Sequence, residues 1–209
     1  MGNHTLIVEA DSIKDVTKKS FGFWNPAQIL LHERSIEGDY KELAEYLIKL
    51  NNVGATEEQT VAADQLSNII MDEALSPEGQ RAALQVWNDL RDVRALTNNV
   101  AIYIQGSAVD NSSSRWHLHG SAVERTVLCK YNGAATQIAR NEDVVSWGED
   151  SLSGDFVACS VKDDIEPVEF ANGDVFAITG GARFFGKATV HRKPPSDGEP
   201  SLMLLAEPE

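Results

Sequence analysis

Thr126-Val127-Leu128-Cys129-Lys130-Tyr131-Asn132-Gly133 reads as a β-strand running into a tight turn. Period-two alternation sets Cys129 and Tyr131 on one face of the strand, and Asn132-Gly133 is the residue pair that a hairpin turn prefers. Runs of the same kind recur from Val100 onward: Val100–Gln105, Arg115–His119, Ala135–Ala139, Phe156–Lys162, Val168–Phe170, Val175–Thr179, Gly186–His191 and Ser201–Ala206. Ser153-Gly154-Asp155, Asn172-Gly173-Asp174 and Ser196-Asp197-Gly198 punctuate them. Many short strands with turn residues between them predict a small antiparallel barrel or jelly roll.

Upstream of Val100 the period changes. Leu43, Tyr46, Leu47 and Leu50 share one helical face, and Asn51-Asn52-Val53-Gly54 ends that helix. Thr56 with Gln59 forms a capping-box pattern, which predicts a second helix running to about Ala74. Ser76 as N-cap and Pro77 in the first helical position start a third, which ends at Asn98-Asn99. The expected fold class is therefore α+β: residues 1–98 form a mostly helical N-terminal layer packed on a β-barrel of residues 99–209, in one compact domain.

Composition narrows the function. The chain has 209 residues, 42% hydrophobic and 24% charged, which suits a globular domain with a real core. Eighteen Lys and Arg against thirty-two Asp and Glu leave a net charge of −14, which repels phosphate backbones and anionic lipid. Neither nucleic acid nor a membrane is an expected partner. Cys129 and Cys159 lack the spacing of a zinc or redox pair, so a reducing, cytoplasmic setting is expected. No GxGxxG, Walker A, GxSxG or HExxH pattern is present.

Of five histidines, His117, His119 and His191 fall in the strand-rich half. Residues i and i+2 of a strand point the same way, so His117 and His119 present two imidazoles side by side while Leu118 faces away. His191 would complete a three-nitrogen face, a ligand type that suits Fe(II), Zn, Ni or Cu. The competing reading makes His117 and His119 solvent-facing and His191 a neighbour of the Arg192-Lys193 turn. Glu124 reads either as a fourth ligand or as a salt-bridge partner of Arg125 or Arg115. Arg183 and Lys187 flank Phe184-Phe185, as an anion clamp or as a basic surface hairpin. Cys129 and Tyr131 line either a pocket or the core.

His117-Leu118-His119 followed by Glu124, with Gly173 to Gly181 leading toward His191, resembles the cupin superfamily. In that family HxH and Glu form the first motif, and a Gly-led strand with a third His forms the second. This chain has Thr179 where the family usually has Pro, and a longer gap from Gly181 to His191. A second resemblance runs from about Leu84 to the end. Arg115–His119, Arg125 to Gly133 and Val190-His191-Arg192-Lys193-Pro194-Pro195 with Gly198 are similar to the bacterial DUF1826 family, whose HxD and distal His match the ligand set of 2-oxoglutarate-dependent oxygenases. Here His119 stands in the place of the acidic ligand, and Ser201 in the place of the Arg that would pair with the 2-oxoglutarate carboxylate.

These resemblances imply a double-stranded β-helix, the cupin-like jelly-roll barrel, holding one divalent transition metal on His117, His119 and His191, with Glu124 as optional fourth ligand. Fe(II) is the first choice of metal, ahead of Zn, Ni or Mn. The implied activity is an oxygenase that combines O2 with a small-molecule substrate. Three neutral imidazoles leave the metal's full positive charge, which favours an anionic substrate. Arg125, Tyr131, Arg183, Lys187 and Arg192 are the candidate substrate-binding residues. Without the anchoring Arg, 2-oxoglutarate is not expected as an obligatory cosubstrate. The other readings are a 2-oxoglutarate oxygenase with a variant triad and a non-catalytic metal-binding cupin; homo-oligomerisation stays open.

Overall fold

The computed structural model describes residues 7–18, 28–109, 114–119, 125–147, 156–180, 188–194 and 198–207. In chain order the first elements are β1 (Ile7–Glu9), α1 (Ile13–Lys18), β2 (Ile29–His32), α2 (Tyr40–Asn51), β3 (Glu58–Val61), α3 (Ala63–Ile69) and α4 (Pro77–Arg94). Then follow β4 (Val100–Gln105), β5 (His117–His119), β6 (Arg125–Asn132), β7 (Gln137–Ile138), β8 (Val144–Ser146), β9 (Phe156–Ala158) and β10 (Ser160–Val161). The last are β11 (Val168–Glu169), β12 (Val175–Thr179), β13 (His191–Arg192) and β14 (Ser201–Ala206).

Two sheets carry the architecture. One has seven strands in the order β1-β2-β12-β6-β14-β4-β3, and the other has five in the order β11-β7-β13-β5-β9. All ladders are antiparallel except β1 with β2. From β4 to β7 the chain crosses between the two sheets at every step, and from β11 to β14 it does so again. β8 and β10 form a separate two-stranded ribbon. Among the described residues no ladder joins the large sheet to the small one, so the barrel expected from the sequence is present as two facing sheets.

Side-chain alternation explains why the large sheet is buried on both faces. Leu30, Val127, Cys129, Tyr131, Val175, Ala177, Leu202 and Leu204 share a core with Leu43, Leu47, Val86, Leu90 and Val93 of the helices. The residues between them in the strands, Ile29, Leu31, Leu128, Phe176 and Ile178, pack instead against Ile138 of the small sheet. Helices, large sheet and small sheet are thus three layers with two cores.

The first 98 residues contribute strands as well as helices. β2 pairs with β12, and β3 closes the far edge against β4. The capping-box reading of Thr56 and Gln59 fails. Gln59 and Thr60 pair with Ile104 and Tyr103 in the sheet, and helix begins only at Ala63. The other helix signals hold: Asp39 accepts from the Glu42 amide at 2.9 Å, and Ser76 Oγ accepts from the Gly79 amide at 3.1 Å with Pro77 in the first turn. Asn52 ends α2 in the left-handed conformation, at φ 54°.

A buried polar knot ties the layers together. Arg34 Nη1 donates to Asp89 Oδ1 at 2.8 Å, Nη2 donates to Asp89 Oδ2, and Nε donates to the Gly173 carbonyl at 2.6 Å. Tyr131 and Gln85 also donate to the Asp89 carboxylate, at 2.7 and 2.9 Å. Gly173 makes the turn before β12 at φ +99°, where a side chain would be strained and would meet Ile36. Burial works against the Arg34 charge, and the hydrogen bond and charge of Asp89 more than offset it, raising its pKa. No helix of the described residues is long and apolar enough to cross a membrane.

Candidate metal centre

β5 and β13 are adjacent antiparallel strands, and His191 is the ladder partner of His117. His119 lies two residues along the same face. The structure therefore brings the three imidazoles together from two strands of the small sheet, with ring centroids 4.4 Å apart for His117 and His191, 5.0 Å for His119 and His191, and 5.9 Å for His117 and His119. One nitrogen from each forms a group whose members all lie within 4.8 Å of one another. All three residues are buried, at 2%, 6% and 5% exposure for His117, His119 and His191. The solvent-facing alternative is thereby removed.

The outer nitrogens are held. His117 Nδ1 lies 2.8 Å from the Arg115 carbonyl and His191 Nδ1 lies 3.1 Å from the Thr189 carbonyl. A carbonyl only accepts, so Nδ1 carries the hydrogen in both rings and the lone pair of the neutral imidazole is on Nε2. His119 Nδ1 lies 3.1 Å from Thr126 Oγ1 and 3.5 Å from the Glu207 carboxylate. That hydrogen bond with His119 holds Glu207 below the usual carboxylate range. Burial pushes the His117 pKa down to about 4, with the His119 imidazole adding to the effect. It also drives His191 well below its ordinary value, with the two neighbouring imidazoles adding to the effect. Both rings are neutral near pH 7, the protonation state in which an imidazole can ligate.

The three rings form one wall of a cavity of about 90 Å³ between the sheets. The large sheet supplies the opposite wall through Gln105, Thr126, Leu128, Lys130, Met203 and Leu205, and Lys193 and Thr136 complete the lining. Lys130, 5% exposed, donates from Nζ to Ser201 Oγ at 2.5 Å.

The other site residues expected from the sequence are placed differently. Tyr131 points to the helix side of β6, where it meets Asp89 and stacks on Tyr40 at 5.6 Å. Cys129 faces the same way, and burial raises its thiol pKa to about 12, so it is an inert core thiol. Alternation decides this: with Thr126, Leu128 and Lys130 facing the cavity, the odd residues of β6 face the helices. Arg125, an odd residue of the same strand, does not line the cavity. Arg192 follows His191 and so faces outward, where its guanidinium sits 4.4 Å over the Trp116 ring and Nε donates to Gln137 at 2.8 Å. Glu124, Arg183 and Lys187 lie outside the described residues. The sequence reading missed Lys130, Lys193 and Glu207. A lysine within an apolar strand, and a second one two residues after His191 on the same face, were the available signals.

No protein-family profile matches the chain, the DUF1826 family included, and no curated protein matches it. Among solved structures, the dioxygenase for auxin oxidation in rice is 9% identical, with 97% of this chain and 82% of that one covered at a TM-score of 0.41. The dioxygenase for auxin oxidation 1 of Arabidopsis thaliana, solved with 2-oxoglutarate, is 10% identical, with 98% and 93% covered at 0.39. A full-length Neurospora crassa protein, solved in complex with alpha-KG, is 10% identical, with 98% and 86% covered at 0.39. Likeness at this level carries no weight for fold or chemistry, which rest on the strand order and the three histidines themselves.

Proposed function

We propose that this chain is a metal-dependent oxygenase of the double-stranded β-helix type, acting on a small anionic substrate with His117, His119 and His191 as its metal ligands. The carrying observation is the buried cluster of three imidazoles, with the Nδ1 of His117 and His191 held by backbone carbonyls and that of His119 by Thr126. Outer hydrogen bonds of this kind fix ring orientation and tautomer in metal sites. A metal with bonds of about 2.1 Å in tetrahedral or octahedral geometry sets neighbouring nitrogens roughly 3.0–3.4 Å apart, so ligand atoms at the 4.8 Å bound close by roughly 1.4–1.8 Å when the metal binds. An all-imidazole set suits Fe(II), Zn or Ni; Fe(II) comes first because the proposed activity is an oxygenase, Mn comes after these, and Glu124 is the candidate fourth ligand.

The bound metal would supply redox or Lewis-acid chemistry at an open-sided centre. The protein's own part is to hold the rings in one tautomer and to set the apolar side chains of Leu128, Met203 and Leu205 in the cavity beside them. The strand order, in which β4, β14, β6 and β12 face β5, β13, β7 and β11, supports the double-stranded β-helix.

Protein loaded with Fe(II) under anaerobic conditions and screened against small carboxylic acids and thiols in an oxygen electrode tests this reading. O2 uptake that requires both metal and substrate, without succinate formation, is expected. Tight metal retention with no substrate-dependent uptake would make the chain a binding module. Stoichiometric succinate from added 2-oxoglutarate would make it a 2-oxoglutarate oxygenase.

A further inference from the structure

The three imidazoles are not held alike. His117 and His191 each set Nδ1 against a backbone carbonyl two residues back, that of Arg115 and that of Thr189, and a carbonyl only accepts. Their tautomers are fixed within their own stretch of chain. His119 Nδ1 instead meets two side chains of the opposite sheet, Thr126 Oγ1 at 3.1 Å and the Glu207 carboxylate at 3.5 Å. A hydroxyl donates as readily as it accepts, so Thr126 by itself is compatible with either tautomer of His119. The carboxylate is not. Its negative charge favours a ring that carries hydrogen on Nδ1 and disfavours one that turns a lone pair toward it. Glu207 is itself tethered just past the end of β14. Its amide donates to the Asn99 carbonyl at 3.0 Å, and Asn99 Nδ2 donates to its second carboxylate oxygen at 3.4 Å.

Resting on the metal reading above, we propose that Glu207 is the positioning residue of the third ligand: it holds His119 with the hydrogen on Nδ1 and so leaves the Nε2 lone pair for the metal. Without the carboxylate, the Thr126 hydroxyl is free to donate to Nδ1, and the ring hydrogen then moves to Nε2, where it blocks ligation. A carboxylate behind a ligating imidazole also raises the basicity of that ring. Glu207 thus lets the large sheet set the state of a ligand carried by the small one. The residue belongs to neither hydrophobic core, so its effect on the ring is separable from folding.

Long-range proton–nitrogen correlation spectra of the metal-free protein at neutral pH read the tautomer of each ring directly. Wild-type His119 should carry its hydrogen on Nδ1. In Glu207→Ala that hydrogen should move, wholly or in part, to Nε2, with His117 and His191 unchanged. Thr126→Val should keep the wild-type tautomer, because Glu207 still takes the hydrogen. Chelator competition with Zn(II) gives the second readout: Glu207→Ala should bind the ion more weakly by on the order of 10–100-fold, and Thr126→Val should retain most of the affinity. Glu207→Met, closer in size, supplies the same comparison if the alanine variant fails to fold. A wild-type ring with its hydrogen on Nε2, an unchanged tautomer in the Glu207 variants whatever their affinity, or wild-type Zn(II) affinity in those variants would overturn the proposal. A merely structural Glu207 lowers the melting temperature and moves neither readout. If the wild-type protein binds no Zn(II), the metal reading fails, and the tautomer spectra still decide whether Glu207 sets His119.

Discussion

His191→Ala should abolish stoichiometric metal binding while leaving the protein folded. The variant keeps His117 and His119 on β5 but loses the imidazole that β13 brings across the ladder. Losing even an outer partner of a metal ligand costs on the order of 10–100-fold in affinity, so removing a ligand should cost more. Folding should survive, because β13 is only two residues long and the two hydrophobic cores lie elsewhere. Unchanged far-ultraviolet circular dichroism with no metal after Fe(II) or Zn(II) loading is the expected result. A purely structural histidine gives the reverse, with metal retained and the melting temperature lowered.

The second large effect lies at the other face of the large sheet. Asp89→Ala should destabilise the fold by about 3–5 kcal/mol, the usual cost of removing one partner of a buried ion pair. The carboxylate accepts from Arg34, Tyr131 and Gln85, and all three would lose a partner inside the helix-side core. Replacing Arg34 and Asp89 together with apolar residues should recover much of the loss, because no charge then stays buried alone. Urea unfolding of the single and double variants measures this. A single variant within about 1 kcal/mol of wild type would show that the knot contributes little. Metal content should be unchanged in the folded fraction, since Asp89 and Tyr131 face away from the cavity.

The strand half was legible because its signals are local. β4, β12 and β14 match the runs Val100–Gln105, Val175–Thr179 and Ser201–Ala206, and Ser76-Pro77 marks the start of α4. β2 was hidden because Ile29, Leu30 and Leu31 are all buried, alternately toward the two cores, so no polar alternation marks them as strand. β3 was hidden for the opposite reason. Glu58, Gln59 and Thr60 are exposed on the sheet edge, and their polarity imitated a helix start. The two-histidine pattern on β5 was readable from spacing alone, whereas the alignment of His191 with His117 is a long-range ladder fact. The face of β6 stayed open in the sequence because Cys129 and Tyr131 suit a pocket or a core alike, and only tertiary context shows that they enter the core while Lys130, between them, is turned into the cavity.

X-ray absorption at the metal edge, with elemental analysis of protein purified without a histidine tag, tests the central claim most directly. One metal per chain with three imidazole nitrogens in its coordination shell is the predicted result. Protein that stays metal-free after anaerobic loading, or that holds metal through oxygen ligands alone, would contradict it.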